Sequence, residues 1–210
     1  MAYVPLNIDL TNKQIKVIGG GKIAERRVKA LLDSDATIHV ISPDLTDNLY
    51  QLYLDEKIIW YKKSFESKDL DNAELIISAT NQEEVNDVIK KSAPIHSLIN
   101  MVGDAQGGNV IFPGTLKRGK LQISVTSTGA SPKLVSNILN DLDKQYPIDY
   151  AEYVDFLYEC RIIIKSLDLE KAKKNQLLES ILSDQYFDED EQEKLTNWLK
   201  RQPKKRAREE

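Results

Sequence analysis

Gly19-Gly20-Gly21-Lys22-Ile23-Ala24 fits the pattern G-x-G-x-x-A, between a β-branched run and a helical one. The chemistry suited to that spacing is pyrophosphate binding. Gly19 permits a tight turn, Gly21 lets phosphates approach the backbone, and Ala24 allows close helix–sheet packing. The helix that follows offers its unpaired N–H groups to the anion. The other reading is a glycine-rich βα turn that holds no cofactor. A dinucleotide also needs an acid for the adenosine ribose, about twenty residues on, at the end of the second strand. That strand closes with Ser42-Pro43, and the nearest acid is Asp44. No arginine stands there for a 2′-phosphate, so NAD is expected over NADP.

Three further stretches carry candidate chemistry. Thr80 and Asn81 follow a short apolar strand, where they could contact ribose or nicotinamide, or serve as ordinary helix-capping residues. Asp104 closes Asn100-Met-Val-Gly-Asp and could act as a base beside the nicotinamide, or be a loop aspartate. Thr126-Ser-Thr-Gly-Ala-Ser131-Pro132 joins a strand to a helix. Such a small-residue turn suits an anion, with Ser127, Ser131 and Lys133 as candidate contacts. A capped helix without a ligand would look the same.

These residues need a scaffold, and the hydrophobic pattern supplies one. Strands are expected at 14–18, 37–41, 58–61, 75–79 and 97–102, with helices at 22–33, 44–56 and 83–91 between them. Alternating strands and helices imply a parallel sheet covered on both faces, a doubly wound α/β fold. After Pro113 the grammar changes. Runs 110–117 and 120–126, separated by Arg118-Gly119, suggest a hairpin. A helix capped by Ser131 with Pro132 at its first position runs to about Tyr146. From 148 to 201 the pattern is helical throughout. The tail from Pro203 has nothing to bury and is expected to fray as a solvated terminus, although its basic run also fits a localisation signal.

Composition narrows the function classes. A net charge of −4 gives no electrostatic reason to expect nucleic-acid binding. One cysteine, Cys160, excludes an intramolecular disulfide framework and fits a reducing compartment. Two histidines, His39 and His96, exclude a clustered Cys/His metal site. No apolar run approaches the roughly 20 residues that span a bilayer, and the first residues lack signal-peptide character. The expectation is a cytoplasmic protein with no metal, nucleic-acid or membrane partner.

The sequence resembles the precorrin-2 dehydrogenase family, the N-terminal module of siroheme synthases, over nearly its whole length. The resemblance rests on Pro5-Leu-Asn-Ile, Val17-Ile-Gly-Gly-Gly-Lys-Ile-Ala-Glu-Arg-Arg, Ala79-Thr-Asn with Val85-Asn86, Asn100-Met-Val, Ile111-Phe-Pro and Ser127-Thr-Gly-Ala-Ser-Pro, in that order. It implies NAD-dependent oxidation of precorrin-2 to sirohydrochlorin in sirohaem synthesis. It also implies a homodimer formed by a central segment. The expected division is a Rossmann-like NAD-binding domain over 1–113, a dimerisation and substrate segment over 114–147, and a helical domain over 148–210. Cofactor contacts carry over to Gly19–Ile23, Pro43 and Asp44, and more loosely to Ser42, Thr80 and Asn81. The family pattern Asn-x-x-Asp places its aspartate where this chain has Gly103. Asp104 stands one residue late, and can substitute only if the backbone is already looping there. Rival readings are ferrochelatase activity, in addition or instead, and a dinucleotide sensor without turnover.

Overall fold

The computed structural model describes residues 3–104 and 107–204. The chain divides into two compact units, one ending at Phe112 and the other beginning at Pro113.

In the first unit, β1 (Gln14–Ile18), β2 (Thr37–Ile41), β3 (Ile59–Tyr61), β4 (Leu75–Ser78) and β5 (Leu98–Met101) form one parallel sheet in the order β3-β2-β1-β4-β5. Helices α1 (Lys22–Lys29), α2 (Asp47–Leu54) and α3 (Glu83–Ser92) make three of its crossovers. Strands buried on both faces should be apolar throughout, and β4, Leu-Ile-Ile-Ser, is buried at every position. One cluster joins Ile15, Val17, Val40 and Ile77 to Ala24 and Val28 of α1. Another joins Ile18 and Ile76 to Ile89 of α3.

The register fixes the site. Ile18 pairs with Ile41 on one side and Ser78 on the other, and Ser78 pairs with Met101. Four strands therefore end in one row, and their loops leave the sheet at one level. The ladder runs one residue further, with Gly19 N–H donating to Ile41 O, Ala79 N–H to Ile18 O and Val102 N–H to Ser78 O.

In the second unit, β6 (Gly114–Arg118) and β7 (Leu121–Val125) form an antiparallel hairpin turned by Gly119 at φ +55°. Helix α4 (Pro132–Gln145) packs on the hairpin. Helices α5 (Tyr150–Ser166), α6 (Lys171–Ser180) and α7 (Glu189–Lys200) enclose their own core of Tyr153, Phe156, Cys160, Ile164, Leu167 and Leu199. Arg118 ties hairpin to helices. Its Nε donates to the carbonyls of Tyr146 and Pro147, and its guanidinium pairs with Asp143 at 2.6 Å. Among the described residues no helix is long and apolar enough to cross a membrane.

Three expectations need correction. The second helix begins at Asp47, not Asp44, because Thr46 caps it, and residues 42–46 form a loop. Strand character starts at Gly114, not Val110. The N–H groups of Asn109 and Val110 both donate to Ile99 O, which wraps this stretch back along β5. The tail does not fray from Pro203: Asp168 N–H donates to Pro203 O at 2.9 Å, and Lys204 bridges to Leu167. The rest of the basic run, 205–210, lies outside the described residues.

Candidate dinucleotide edge

Gly19, Gly20 and Gly21 follow the central strand, beside the point where the strand order reverses, and their surroundings differ. Gly19 takes φ +112°, and a β-carbon there would stand 2.6 Å from Ala79 O. Only glycine meets both demands. A β-carbon on Gly20 would collide with the carbonyl of Asp44 and crowd Ser42 Oγ and Leu45. The loop after β2 thus crosses directly over Gly20, and Thr46 N–H donates to Gly20 O at 2.9 Å. At Gly21 a β-carbon would meet nothing within 4 Å.

Gly21 is also the N-cap of α1, and no side chain caps that helix. The first-turn N–H groups of a helix have no intrahelical partner. An uncapped terminus behind an open glycine is what a pyrophosphate requires, so these residues fit a dinucleotide. Lys22 and Ile23 are exposed at the start of α1.

The loops on either side complete the edge. Ser42 is buried, and its carbonyl accepts from Trp60 Nε1 at 2.9 Å; Pro43 and Asp44 are exposed beyond it. On the other side, Thr80 Oγ1 accepts from Gln82 N–H, while Gln82 itself is the N-cap of α3, so Thr80 is not that cap. Asn81 is exposed. Asn86 braces this turn: Ser78 Oγ donates to its Oδ1 at 2.5 Å, and its Nδ2 reaches Thr80 O at 3.5 Å.

The loop after β5 holds Asp104. β5 ends at Met101 and Gly103 takes φ +88°, so the chain has left the strand before Asp104. The alternation that would turn a residue-late side chain to the wrong face no longer applies. Asp104 Oδ2 accepts from Lys90 Nζ at 2.9 Å, and Oδ1 accepts from Gly107 N–H at 2.9 Å. This pairing pushes the Lys90 ammonium above its ordinary value. Asn100 is buried, with Nδ2 donating to Val110 O; its Oδ1 has no hydrogen-bond partner among the described residues.

The structure therefore brings Gly19–Ile23, Ser42–Asp44, Thr80–Asn81 and Asp104 to one edge of one sheet. Ser127, Ser131 and Lys133 belong to the second unit. There Ser127 Oγ accepts from Ser131 N–H, Ser131 Oγ accepts from Leu134 N–H as the cap of α4, and Lys133 is exposed. A cavity of about 370 Å³ lined by Leu10, Ala73, Pro94 and Leu98 opens at the opposite, amino edge of the sheet. Open α/β sheets bind ligands at the carboxyl edge, so the glycine edge is the better candidate. Among the described residues no group of three or more His, Cys, Asp or Glu side chains could hold a metal.

Sequence reasoning missed Glu25, Asn86 and Lys90. Two of them lay in the quoted motifs, but only as letters of a pattern; their partners are set by folding.

Residues 6–114 match the NAD(P)-binding family model, and residues 150–195 match the SirC C-terminal domain model. A precorrin-2 dehydrogenase of Priestia megaterium is 35% identical over 85% of this chain and 89% of its own length. That of Bacillus subtilis (strain 168) is 39% identical over 75% of this chain and 98% of its own. The solved structure of SirC, a precorrin-2 dehydrogenase, superposes with a TM-score of 0.83 at 32% identity, covering 94% of this chain and 99% of that one.

Proposed function

This chain belongs to the precorrin-2 dehydrogenase family, and from that premise we propose that its glycine edge carries out the NAD-dependent dehydrogenation of precorrin-2 to sirohydrochlorin, a step of sirohaem synthesis. The observation that carries the reading is the open, uncapped turn at Gly21 between the loops bearing Asp44 and Thr80. Iron insertion alone gives no reason for that turn to stand open.

The oxidation removes one hydride and one proton from the macrocycle. Bound NAD supplies the hydride acceptor, and the protein's part is placement and proton handling. The N–H groups of Lys22 and Ile23, with the Gly19–Gly21 backbone, hold the pyrophosphate. Asp44 accepts from the adenosine ribose, backed by Ser42 and Pro43. Thr80 and Asn81 contact the nicotinamide half. Asp104 takes the proton, held in place by Lys90 and Gly107 N–H. Ser127, Ser131 and Lys133 favour the substrate's carboxylates, since a helix amino end and an ammonium both attract anions.

Residues 114–147 serve as the dimerisation segment of a cytoplasmic homodimer. A two-stranded hairpin with one helix is too small to form a core alone, and α4 contains no buried residue.

Anaerobic incubation with precorrin-2 and NAD, followed by the absorbance of sirohydrochlorin, tests the reading. Sirohydrochlorin forms only with NAD present. Nucleotide binding without turnover would instead support a sensor, and iron insertion without oxidation a chelatase.

A further inference from the structure

Glu25 is an acid that the dehydrogenation does not use, yet it is only 8% exposed. Burying a carboxylate is costly unless it is fully hydrogen-bonded. Here three side chains donate to it: Lys29 Nζ at 2.7 Å, Thr46 Oγ1 at 2.8 Å and Asn48 Nδ2 at 2.8 Å. Bonds from Lys29, then Thr46 and Asn48, hold its carboxyl down at about 2.

Lys29 lies on the same helix, one turn away. Thr46 and Asn48 instead come from the end of the loop after β2 and the start of α2. Thr46 is held on three sides. Its hydroxyl donates to Glu25, the same oxygen accepts from Leu49 N–H at 3.4 Å, and its backbone N–H donates to Gly20 O at 2.9 Å. Asp44 sits two residues before it. The amino end of α1 and the loop carrying Asp44 are thus joined by one buried carboxylate.

The geometry points to Glu25 as a positioning residue for the dinucleotide: through Thr46 and Asn48 it holds the β2–α2 loop so that one ligand reaches Gly21 and Asp44 together. The inference rests on the reading of the glycine edge as the nucleotide site. It deepens that reading, because binding becomes a property of the distance between two loops as well as of their contacts. Shape-holding of this kind acts on binding and leaves the chemical step alone.

The test is NAD titration by calorimetry together with steady-state kinetics on the intact protein, with folding checked by circular dichroism. Glu25→Ala should raise Kd and KM for NAD about tenfold, as loss of a charge-assisted clasp implies, with kcat at saturating NAD kept within about twofold. Thr46→Val should do the same, and Thr46→Ser should restore parental affinity. The Glu25→Ala/Thr46→Val double variant should bind no more weakly than the worse single one, because both break one link. Lys29→Ala should bind NAD as the parent does, since Lys29 touches the carboxylate but not the loop. Should Glu25→Ala fail to fold, the Thr46 pair decides. Parental affinity in folded Thr46→Val, or a loss in Lys29→Ala as large as in Glu25→Ala, overturns the inference. A parent protein that itself binds no NAD would overturn the nucleotide reading instead, so the two failures are distinct.

Discussion

Lys90 Nζ lies 2.9 Å from Asp104 Oδ2, and this ion pair spans from the last turns of α3 to the loop after β5. It holds the carboxylate that is proposed to take the proton. Asp104→Ala should therefore lower kcat by on the order of a hundredfold, the usual contribution of a positioned base. KM for NAD should stay parental. An equal loss of NAD affinity, measured in the same preparation, would show a disturbed loop in place of a missing base.

Gly20 and Gly21 are neighbours with opposite sensitivities. A side chain at position 20 runs into the Asp44 carbonyl, whereas position 21 faces open space. Gly20→Ala should lower the thermal midpoint by several degrees, because backbone must move to admit it. Gly21→Asp should leave the midpoint unchanged and abolish NAD binding by calorimetry, since its carboxylate stands where the pyrophosphate approaches. Parental NAD affinity in Gly21→Asp would place the site elsewhere.

Burial, and then the nearby Lys16, hold the His39 imidazole down at about 4, against an ordinary value of 6.5. Its Nε2 is bonded to Gln14 Oε1 at 2.8 Å, and its ring stacks on Tyr61. The unfolded chain therefore binds this proton more readily than the folded one. The stability at issue is fully present above pH 6.5 and is lost as pH falls from there toward about 4. The full effect is on the order of 3 kcal/mol. Glu25 adds a second loss, which begins only below its ordinary 4.5 and extends toward about 2. Urea titrations across this range should show His39→Gln flattening the upper limb only. An unchanged slope between pH 6.5 and 4.5 would refute the assignment to His39.

On α4, Leu134 is 52% exposed and Ile138 38% exposed. In the proposed homodimer this surface is covered by the second copy. Light scattering at micromolar concentration should give a dimer mass, and Ile138→Glu should shift it toward monomer. A monomeric parent would remove the dimer.

β1 and β2 were legible to the residue because punctuation bounds them: glycines stop the first and Ser42-Pro43 the second. The places of Gly19 and Gly21 after β1, and of Asp44 after β2, were legible because their spacing is local. The start of α2 was not. Leu45 and Leu49 continue the helical period backward, and no periodicity shows that Thr46 turns its N–H to Gly20. Glu25 escaped notice for a related reason. Its loop partners are 21 and 23 residues away in sequence, so nothing marks it as more than the acid of a helix's first turn. Lys90 meets Asp104 only because β4 and β5 are adjacent and the β5 loop doubles back. Patterns within one element can be read from a sequence; hydrogen bonds between loops follow from the fold.

The crossing of the β2–α2 loop over Gly20 bears on how relatives of this chain can diverge. Gly20 leaves no room beneath the loop, and Thr46 pins its far end. Lengthening or shortening residues 42–46 would break both contacts at once, so length variation is the less accessible route. Exchange of the exposed side chains at 43 and 44 touches neither. With positions 43 and 44 at the adenosine ribose, as proposed, preference between phosphorylated and unphosphorylated ribose can drift by single substitutions on an unchanged backbone, and the glycine beneath the loop is what makes that drift safe.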